Sequence, residues 1–157
     1  MPIKLCNNKV LVVGGSGFIG TALVSRLLEL DNRVVSVGLT KSKTPITDGK
    51  LKHMIVDMQN FQDLEKIFQQ EQFQYVFNLG GYINHSKYSD EGRGVFDSFC
   101  KGTLNLIELA GKFGLERFVQ IGSSDEYGDT PAPQHENLRE APISPYSSVR
   151  TACNHLI

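Results

Sequence analysis

The segment GGSGFIG, Gly14 to Gly20, directly follows the apolar run KVLVV and opens a stretch with helical periodicity. Gly14, Gly17 and Gly20 are three apart, and Gly15, Gly17 and Gly20 also satisfy the G-x-G-x-x-G spacing. Glycines between a strand and a helix permit a tight turn, let the backbone approach a pyrophosphate and bring the helix close to the strand. The N–H groups at the start of that helix favour phosphate. The segment therefore predicts a dinucleotide-phosphate site.

The rest of the chain alternates short β-branched runs with longer segments of helical period. This alternation predicts an α/β fold, a doubly wound parallel sheet of the Rossmann kind, whose ligands lie beyond the carboxyl ends of the strands. The expected strands are Lys9–Val13, Arg33–Val37, Lys52–Val56, Tyr75–Leu79 and Arg117–Ile121, and the expected helices are Phe18–Leu30, Phe61–Glu71 and Val95–Phe113. Ser144 and Pro145 suit the N-cap and first position of a further helix.

Charge, cysteine content and hydropathy exclude several classes of protein. Sixteen Lys and Arg against seventeen Asp and Glu give a net charge of −1, which favours neither nucleic acid nor a membrane surface as a partner. The three cysteines lie far apart without metal-ligand spacing, which predicts free thiols, no metal and a reducing compartment, the cytoplasm by default. No apolar run is long enough to span a membrane. We expect residues 1–157 to form one NAD(P)-binding domain.

The polar segment after the second strand bears on which dinucleotide binds. An acidic residue about twenty positions beyond the glycines would accept hydrogen bonds from the ribose of NAD. The sequence there is GLTKSK, Gly38 to Lys43, without a carboxylate. Thr40 and Lys41, followed by Ser42 and Lys43, offer hydroxyls and positive charge to a 2′-phosphate. The sequence therefore favours NADP over NAD, with a solvated polar loop as the alternative.

Residues after the third and fourth strands are further candidates. Asp57 could accept a hydrogen bond from the adenine amino group, or it could cap the helix near Phe61. Gly80 and Gly81 would let the backbone pass close to the cofactor. His85 is the histidine nearest to the predicted site, and we expect it to be a solvated loop residue rather than a functional one.

Two later segments give the sequence a specific family resemblance. IGSSDEYG, Ile121 to Gly128, follows the fifth strand, and SPYSSVR, Ser144 to Arg150, opens the last helix. With GGSGFIG and KGTLNLIELAGKFGLERFVQIGSS, they make the chain resemble, from about Lys9 to Ile157, the extended short-chain dehydrogenase/reductases that act on nucleotide sugars. These proteins are NAD(P)-dependent epimerases, dehydratases and 4-keto reductases.

The resemblance implies a role for each matching residue. The implied cofactor-binding residues are Gly14, Gly17, Phe18, Ile19 and Gly20 at the pyrophosphate, Asp57 and Met58 at the adenine, and Leu79, Gly80 and Gly81 beside the nicotinamide ribose. Ser123 falls on the family's catalytic serine or threonine, and Asp125 falls where dehydratases often have an acid. Tyr146 falls on the catalytic tyrosine. Arg150 falls where the family has lysine. The resemblance implies that Tyr146 and Arg150 also contact the cofactor.

The chemistry explains why these residue types belong together. Hydride transfer at a sugar carbon requires a proton donor or acceptor at the adjoining oxygen. A tyrosine hydroxyl serves near neutral pH only beside a positive charge that stabilises its phenolate. Tyr146 and Arg150 are four apart on one helix face, so Arg150 supplies that charge, although its flat fork cannot imitate a compact ammonium. Ser123 would hydrogen-bond the same oxygen.

Several functions are compatible with this resemblance. GSSDEYG resembles the 4-keto-6-deoxysugar reductases more than the dehydratases, so we favour a reductase of nucleotide-linked 4-keto sugars. A nucleotide-sugar 4-epimerase or dehydratase is the first alternative. Family members continue past the position of Ile157 into a region that closes over the sugar nucleotide, so we expect the N-terminal cofactor domain without the substrate region. That expectation and Arg150 favour a second alternative, a truncated, non-catalytic NAD(P)-binding module. Family members commonly form dimers, so the resemblance also implies that this chain can form a homodimer.

Overall fold

The computed structural model describes residues 5–41, 48–83, 85, 87, 89 and 92–157, and the strands among them form one parallel sheet. The strands are β1 Lys9–Val13, β2 Arg33–Gly38, β3 Leu51–Ile55, β4 Tyr75–Asn78 and β5 Arg117–Gln120. The helices are α1 Phe18–Glu29, α2 Phe61–Gln70, α3 Arg93–Phe96, α4 Gly102–Phe113 and α5 Pro145–Asn154, with a π-helical turn at Asp97–Lys101 and a 3-10 turn at Ser124–Tyr127. No helix of the described ranges is long and apolar enough to cross a bilayer.

The strand order positions a crevice at the centre of the sheet. The order is β3-β2-β1-β4-β5. The strands β2 and β3 therefore lie on one side of β1, and β4 and β5 lie on the other. The last residue of β1, Val13, pairs with Val37 on one side and Asn78 on the other. A reversal of this kind opens a crevice beyond the carboxyl ends of the two central strands. The predicted doubly wound α/β fold is confirmed.

Element boundaries agree with the sequence predictions to within one residue, except in the segment before β5. The predicted single helix Val95–Phe113 begins earlier, at Arg93, and is interrupted by the π-helical turn Asp97–Lys101. The wider turn changes which face is buried. Val95 and Phe99 pack towards α5, whereas Leu106 and Leu109 of α4 pack against the sheet. Sequence periodicity alone does not reveal such a change of partner.

Alternate residues of the central strands pack on opposite faces of the sheet. One face is formed by Leu11, Val13, Val35, Val37 and Val76 under α2 and α4, and the other by Val10, Val12 and Val34 under α1. Because both faces are covered, these strands are apolar at successive positions. A third cluster, Val95, Phe99, Cys100, Tyr146, Val149 and Cys153, fixes α5 against the π-helical turn. This cluster holds the predicted catalytic helix beside the crevice.

The cysteines are free thiols, as predicted. Cys100 and Cys153 are buried together in the third cluster, and Cys6 is half-buried. Burial, and after it the neighbouring Cys153, raises the pKa of the Cys100 thiol to about 12. Cys100 therefore stays protonated at neutral pH and acts as an apolar packing residue.

Candidate cofactor and active site

The glycine turn joins β1 to α1 in the geometry that a phosphate requires. Gly14 has φ +77°, and its carbonyl accepts from the Gly17 N–H at 3.0 Å. A Cβ on Gly20 would overlap the Gly14 carbonyl oxygen, so α1 starts in contact with the turn. Among the described residues no side chain caps α1, and its first turn contains no acidic residue. The N–H groups and the positive dipole end of α1 are therefore available to an anion.

Two adjoining clefts open at the carboxyl end of the sheet. The first, of about 270 Å³, lies beside the ends of β2 and β3. The second, of about 410 Å³, lies between the start of α1, the π-helical turn and α5. Their shared wall consists of Gly14, Gly17, Leu79, Gly80 and Gly81. We refer to the two clefts together as the groove. It brings together the predicted glycine, strand-three, strand-four and α5 residues, including the exposed Phe18 and Ile19.

The residues predicted to contact adenine line the first cleft. Asp57 Oδ1 accepts from the Gln59 N–H at 2.9 Å. Helix α2 is capped by a different residue, Asn60, whose side chain accepts from the Asp63 N–H at 3.2 Å. The alternative that Asp57 caps this helix is therefore wrong. Met58 is buried, with its thioether against the backbone of the shared wall.

The segment after β2 lies at the outer end of the groove. Gly38 and Leu39 line the first cleft. Thr40 and Lys41, predicted to bind a 2′-phosphate, follow them as exposed residues at the rim. The other two residues of that prediction, Ser42 and Lys43, lie outside the described residues.

A histidine on β3 that was not a sequence candidate holds this segment in place. His53 Nε2 lies 3.1 Å from the Thr40 carbonyl oxygen, and His53 Nδ1 lies 3.1 Å from Ser36 Oγ. Because a carbonyl only accepts, Nε2 donates to it, and Nδ1 lies within hydrogen-bonding distance of the Ser36 hydroxyl, which can donate or accept. His53 thus connects β2, β3 and the rim. A single histidine within a strand forms no sequence motif, so the sequence does not predict this role.

The end of β4 is fixed in a similar way by a buried asparagine. Asn78 Oδ1 accepts from the Gly80 N–H at 3.1 Å, and Asn78 Nδ2 donates to Gln120 Oε1 at 2.8 Å. These bonds hold the shared wall at a defined distance from β5. Gly81 continues the wall with φ +145°, a conformation that glycine adopts readily.

Helix α5 presents the predicted catalytic pair to the second cleft. As predicted, Ser144 is the N-cap, with its side chain accepting from the Ser147 N–H at 3.1 Å, and Pro145 is the first helical residue. Tyr146 and Arg150 follow one turn apart, are 6% and 2% exposed, and both line the second cleft.

Arg150 is a buried cation that has no anionic partner in the described part of the chain. Its Nε makes no hydrogen bond, and its Cζ lies 4.9 Å from the centroid of the Phe99 ring. Buried guanidinium groups normally pair with an acceptor, because an unpaired buried charge is costly. The cleft beside Arg150 has room for such an acceptor, so the residues present fit a bound dinucleotide with ribose hydroxyl or phosphate oxygens.

Ser123 and Asp125 lie after β5, where Ser123 is the N-cap of the 3-10 turn that contains Asp125. The second cleft is lined by Ile121 and Gly122, the two residues just before Ser123. Ser123 Oγ accepts from the Asp125 N–H at 3.3 Å. The Asp125 carboxylate lies 3.6 Å from His85 Nδ1, and the His85 ring lies 4.9 Å from the Tyr146 ring. His85 is 59% exposed, as expected of a loop histidine, yet it lies between two predicted catalytic residues. The structure thus brings Asp125, His85 and Tyr146 together.

Comparison with known proteins identifies the family to which this groove belongs. The chain matches the NAD dependent epimerase/dehydratase family over residues 10–157. It belongs to this family. The resemblance predicted from the sequence motifs is confirmed.

Similar members of the epimerase/dehydratase family are longer than this chain. The bifunctional UDP-glucose 4-epimerase and UDP-xylose 4-epimerase 3 of Arabidopsis thaliana is 30% identical over 154 residues, which cover 90% of this chain and 44% of that protein. The dTDP-glucose 4,6-dehydratase of Salmonella typhimurium is 28% identical over 178 residues, which cover 95% of this chain and 49% of that protein. The UDP-glucose 4-epimerase of Thermotoga maritima, crystallised with UDP-glucose, has a TM-score of 0.85 at 26% identity, and the match covers 94% of this chain and 49% of that protein. The chain spans about half the length of these relatives.

A buried carboxylate in this member of the family connects the Ser123 turn to the end of α5. Glu126 is 6% exposed. Its Oε1 accepts from the Ser123 N–H at 2.7 Å, and its Oε2 accepts from Asn154 Nδ2 at 2.6 Å. Glu126 was not a sequence candidate, although the spacing of Ser123 and Glu126 matches a capping box, S-x-x-E, which signals this bond.

We expect Glu126→Gln to lower the free energy of unfolding by about 1–3 kcal/mol, because an amide offers one acceptor where the carboxylate satisfies two buried donors. Urea unfolding of the variant and the parent chain measures the loss. Adding Asn154→Asp should recover part of it, since the introduced amide can then accept from the Ser123 N–H and donate to the introduced carboxylate.

The control for this change is Glu136→Gln, at an exposed position in the loop before α5. It should leave the free energy of unfolding within about 0.5 kcal/mol of the parent, as surface changes usually do. Equal stability of the Glu126 and Glu136 variants would show that the buried carboxylate does not hold the turn to α5.

Proposed function

We propose that this chain binds NADP(H) along the groove and is the cofactor-binding, proton-transferring part of a nucleotide-sugar oxidoreductase. One observation carries the proposal: Arg150, buried, with no hydrogen bond to its Nε and no anionic partner within the described residues, lies one turn from Tyr146 in the second cleft. A cation that remains buried without an acceptor is costly for the fold. A bound dinucleotide would complete its hydrogen bonds and would lie beside the tyrosine.

The proposed reaction is the reduction of a keto group on a sugar. Bound NADPH would supply the hydride to the carbonyl carbon. Tyr146 would donate its hydroxyl proton to the carbonyl oxygen, giving an alcohol, and Arg150 would stabilise the resulting phenolate. Ser123 would hydrogen-bond the same oxygen and orient it. Asp125 would contact the sugar ring.

The proposed substrate class is a nucleotide-linked 4-keto-6-deoxysugar, on the evidence of the GSSDEYG segment. The 4-epimerase alternative is supported by the names of the relatives from Arabidopsis thaliana and Thermotoga maritima. The dehydratase alternative is supported by the Salmonella typhimurium relative. A reductase consumes one NADPH for each sugar reduced, whereas an epimerase or dehydratase returns the hydride and leaves the cofactor pool unchanged. A non-catalytic module binds the cofactor and converts none of these sugars.

The test has two stages and uses the 157-residue chain. NADPH and NADH are first titrated, with the fluorescence of the reduced nicotinamide as the signal, and tighter binding of NADPH is the expected result. The chain is then mixed with NADPH and a panel of nucleotide-linked 4-keto sugars, and loss of the near-ultraviolet absorbance of NADPH is followed. Binding without loss of NADPH contradicts the reductase, and absence of binding contradicts the proposal. Because an epimerase or dehydratase leaves the NADPH absorbance unchanged, the chain is also mixed with oxidised cofactor and nucleotide-linked sugars, and the absence of any converted sugar on chromatography then favours the module.

We expect the rim after β2 to determine the choice between NADPH and NADH. Lys41→Ala should weaken NADPH binding about fivefold and leave NADH binding unchanged, because an exposed ion pair contributes at most about 1 kcal/mol. Gly38→Asp should weaken NADPH binding at least tenfold, by roughly the cost of placing like charges together, and should strengthen NADH binding. The dissociation constants of both cofactors measure this preference.

The matched control is Lys112→Ala, which removes an exposed lysine paired with Glu65 at the far end of α4. It should change neither dissociation constant. If Lys41→Ala and Lys112→Ala behave alike towards NADPH, Lys41 does not contact a 2′-phosphate.

A further inference from the structure

Arg150, which stands where the family has lysine, lies on the face of the Phe99 ring. Arg150 and Phe99 are each 2% exposed, and the guanidinium carbon lies 4.9 Å from the ring centroid. A cation over an aromatic face is attracted by the electrons of the ring, more strongly where water is excluded. Guanidinium is flat and weakly hydrated and stacks on such a face, whereas the ammonium of lysine is compact and strongly hydrated. The ring therefore suits arginine better than lysine.

The same ring contacts the other predicted catalytic residue. The Phe99 and Tyr146 rings meet edge to face, with centroids 5.7 Å apart and planes at 73°. Edge-to-face packing is a favoured geometry for aromatic pairs. Since Tyr146 and Arg150 are one turn apart on α5, one ring fixes the direction of both side chains.

The fold makes room for this ring at Gly81. A Cβ on Gly81 would overlap Phe99 Cε1 and Cζ, so the ring lies directly on the backbone of the shared wall. The ring projects from the π-helical turn Asp97–Lys101, which aims Phe99 at α5 while α4 continues against the sheet. Gly81, Phe99 and Arg150 thus form one packed stack between the wall of the groove and α5.

We propose that Phe99 is a positioning residue for the site, which holds the Arg150 guanidinium in place and aims it into the second cleft. The ring supplies the favourable contact that no anion in the described chain provides. It also makes arginine, not lysine, the cation that this site accommodates. The inference rests on the proposed function for its role in cofactor binding, but the contact itself is independent of that function.

The test is a double-mutant cycle in the 157-residue chain, with the dissociation constant of NADPH as the readout. Phe99→Leu removes the ring face and should raise the dissociation constant about tenfold. In an Arg150→Lys background, Phe99→Leu should change the dissociation constant by less than about twofold, because the stacking partner is already lost.

The control is Phe73→Leu, which truncates another buried phenylalanine, one that packs edge to face on Phe68. It should lower stability as Phe99→Leu does and leave NADPH binding unchanged. Equal effects of the Phe99 and Phe73 changes on binding, or independent effects of Phe99→Leu and Arg150→Lys, would overturn the inference.

The same cycle remains informative if the parent chain binds neither NADPH nor NADH. That result would contradict the proposed function, and the contact is then tested by urea unfolding. Non-additive shifts of the unfolding midpoint for Phe99→Leu and Arg150→Lys support the stack, with circular dichroism confirming that each variant is folded. Additive shifts overturn it.

Discussion

Gly20→Ala is expected to eliminate cofactor binding and to destabilise the fold more than any other single-methyl change in the groove. The added Cβ would overlap the Gly14 carbonyl oxygen and lie 2.6 Å from the Gly15 Cα. Both obstacles are backbone atoms of the phosphate turn, so neither a rotamer change nor a flexible side chain relieves the overlap. Helix α1 must shift away from β1, and its N–H groups then no longer point at the turn.

We expect a loss of about 3 kcal/mol in the free energy of unfolding, at the upper end for overpacking. The dissociation constant of NADPH should rise at least a hundredfold, equivalent to about 2.7 kcal/mol. Urea unfolding and nicotinamide fluorescence measure the two quantities separately. Gly20→Ala protein that is folded and binds with parental affinity would show that the phosphate does not approach this turn.

Gly111→Ala provides the matched control. Gly111 is exposed on α4, and a Cβ there would meet no atom within 4 Å. Since alanine favours a helix over glycine by about 0.5–1 kcal/mol, this change should stabilise the chain slightly. Its cofactor affinity should not change. The same substitution is therefore expected to have opposite effects at two helical glycines.

Tyr146→Phe is expected to reduce turnover about 10²–10⁴-fold, the range that a positioned acid or base contributes. The ring remains, so its edge contact with Phe99 and its packing in the third cluster are kept. The free energy of unfolding should therefore stay close to that of the parent. The assay uses whichever sugar of the panel the parent chain reduces, under saturating NADPH.

A second tyrosine provides the control that distinguishes loss of a proton donor at the site from loss of a hydroxyl elsewhere in the fold. Tyr75, at the other end of the sheet, donates its hydroxyl hydrogen to Glu116 Oε2 at 2.9 Å. Tyr75→Phe should lower the free energy of unfolding slightly and leave turnover unchanged. Turnover that survives in the Tyr146 variant at the level of the Tyr75 variant would assign proton transfer to another group, with His85 the nearest candidate.

The fold was predictable because its signals are local and repeated. Each central strand is an apolar run closed by glycine or polar residues, and each crossover helix shows its own period, so the sequence specifies both the elements and their parallel arrangement. The glycine turn and the N-cap at Ser144 were predictable for the same reason: each depends on a few adjacent residues with a fixed geometric requirement.

The supporting contacts of the site were not predictable, because each joins residues distant in sequence. His53 reaches the Thr40 carbonyl and Asn78 reaches Gln120 across neighbouring strands, and neither partner has a local pattern. The stack of Phe99 on Arg150 depends on a π-helical turn, which α-helical periodicity conceals. Glu126 is the exception, since its capping box was present in the sequence and indicated the bond to Ser123.

The solitary charge of Arg150 has a consequence for how long the chain survives. Because the Arg150 Nε is buried without an acceptor and the guanidinium has no anion opposite it in the described residues, the unliganded protein retains a penalty that a dinucleotide bound as proposed would relieve. Ligand at a hundred times its dissociation constant adds about 2.7 kcal/mol to the native state. Proteases remove chains in proportion to their unfolded fraction. Abundance of this protein would then rise and fall with the supply of dinucleotide, independently of any catalytic turnover.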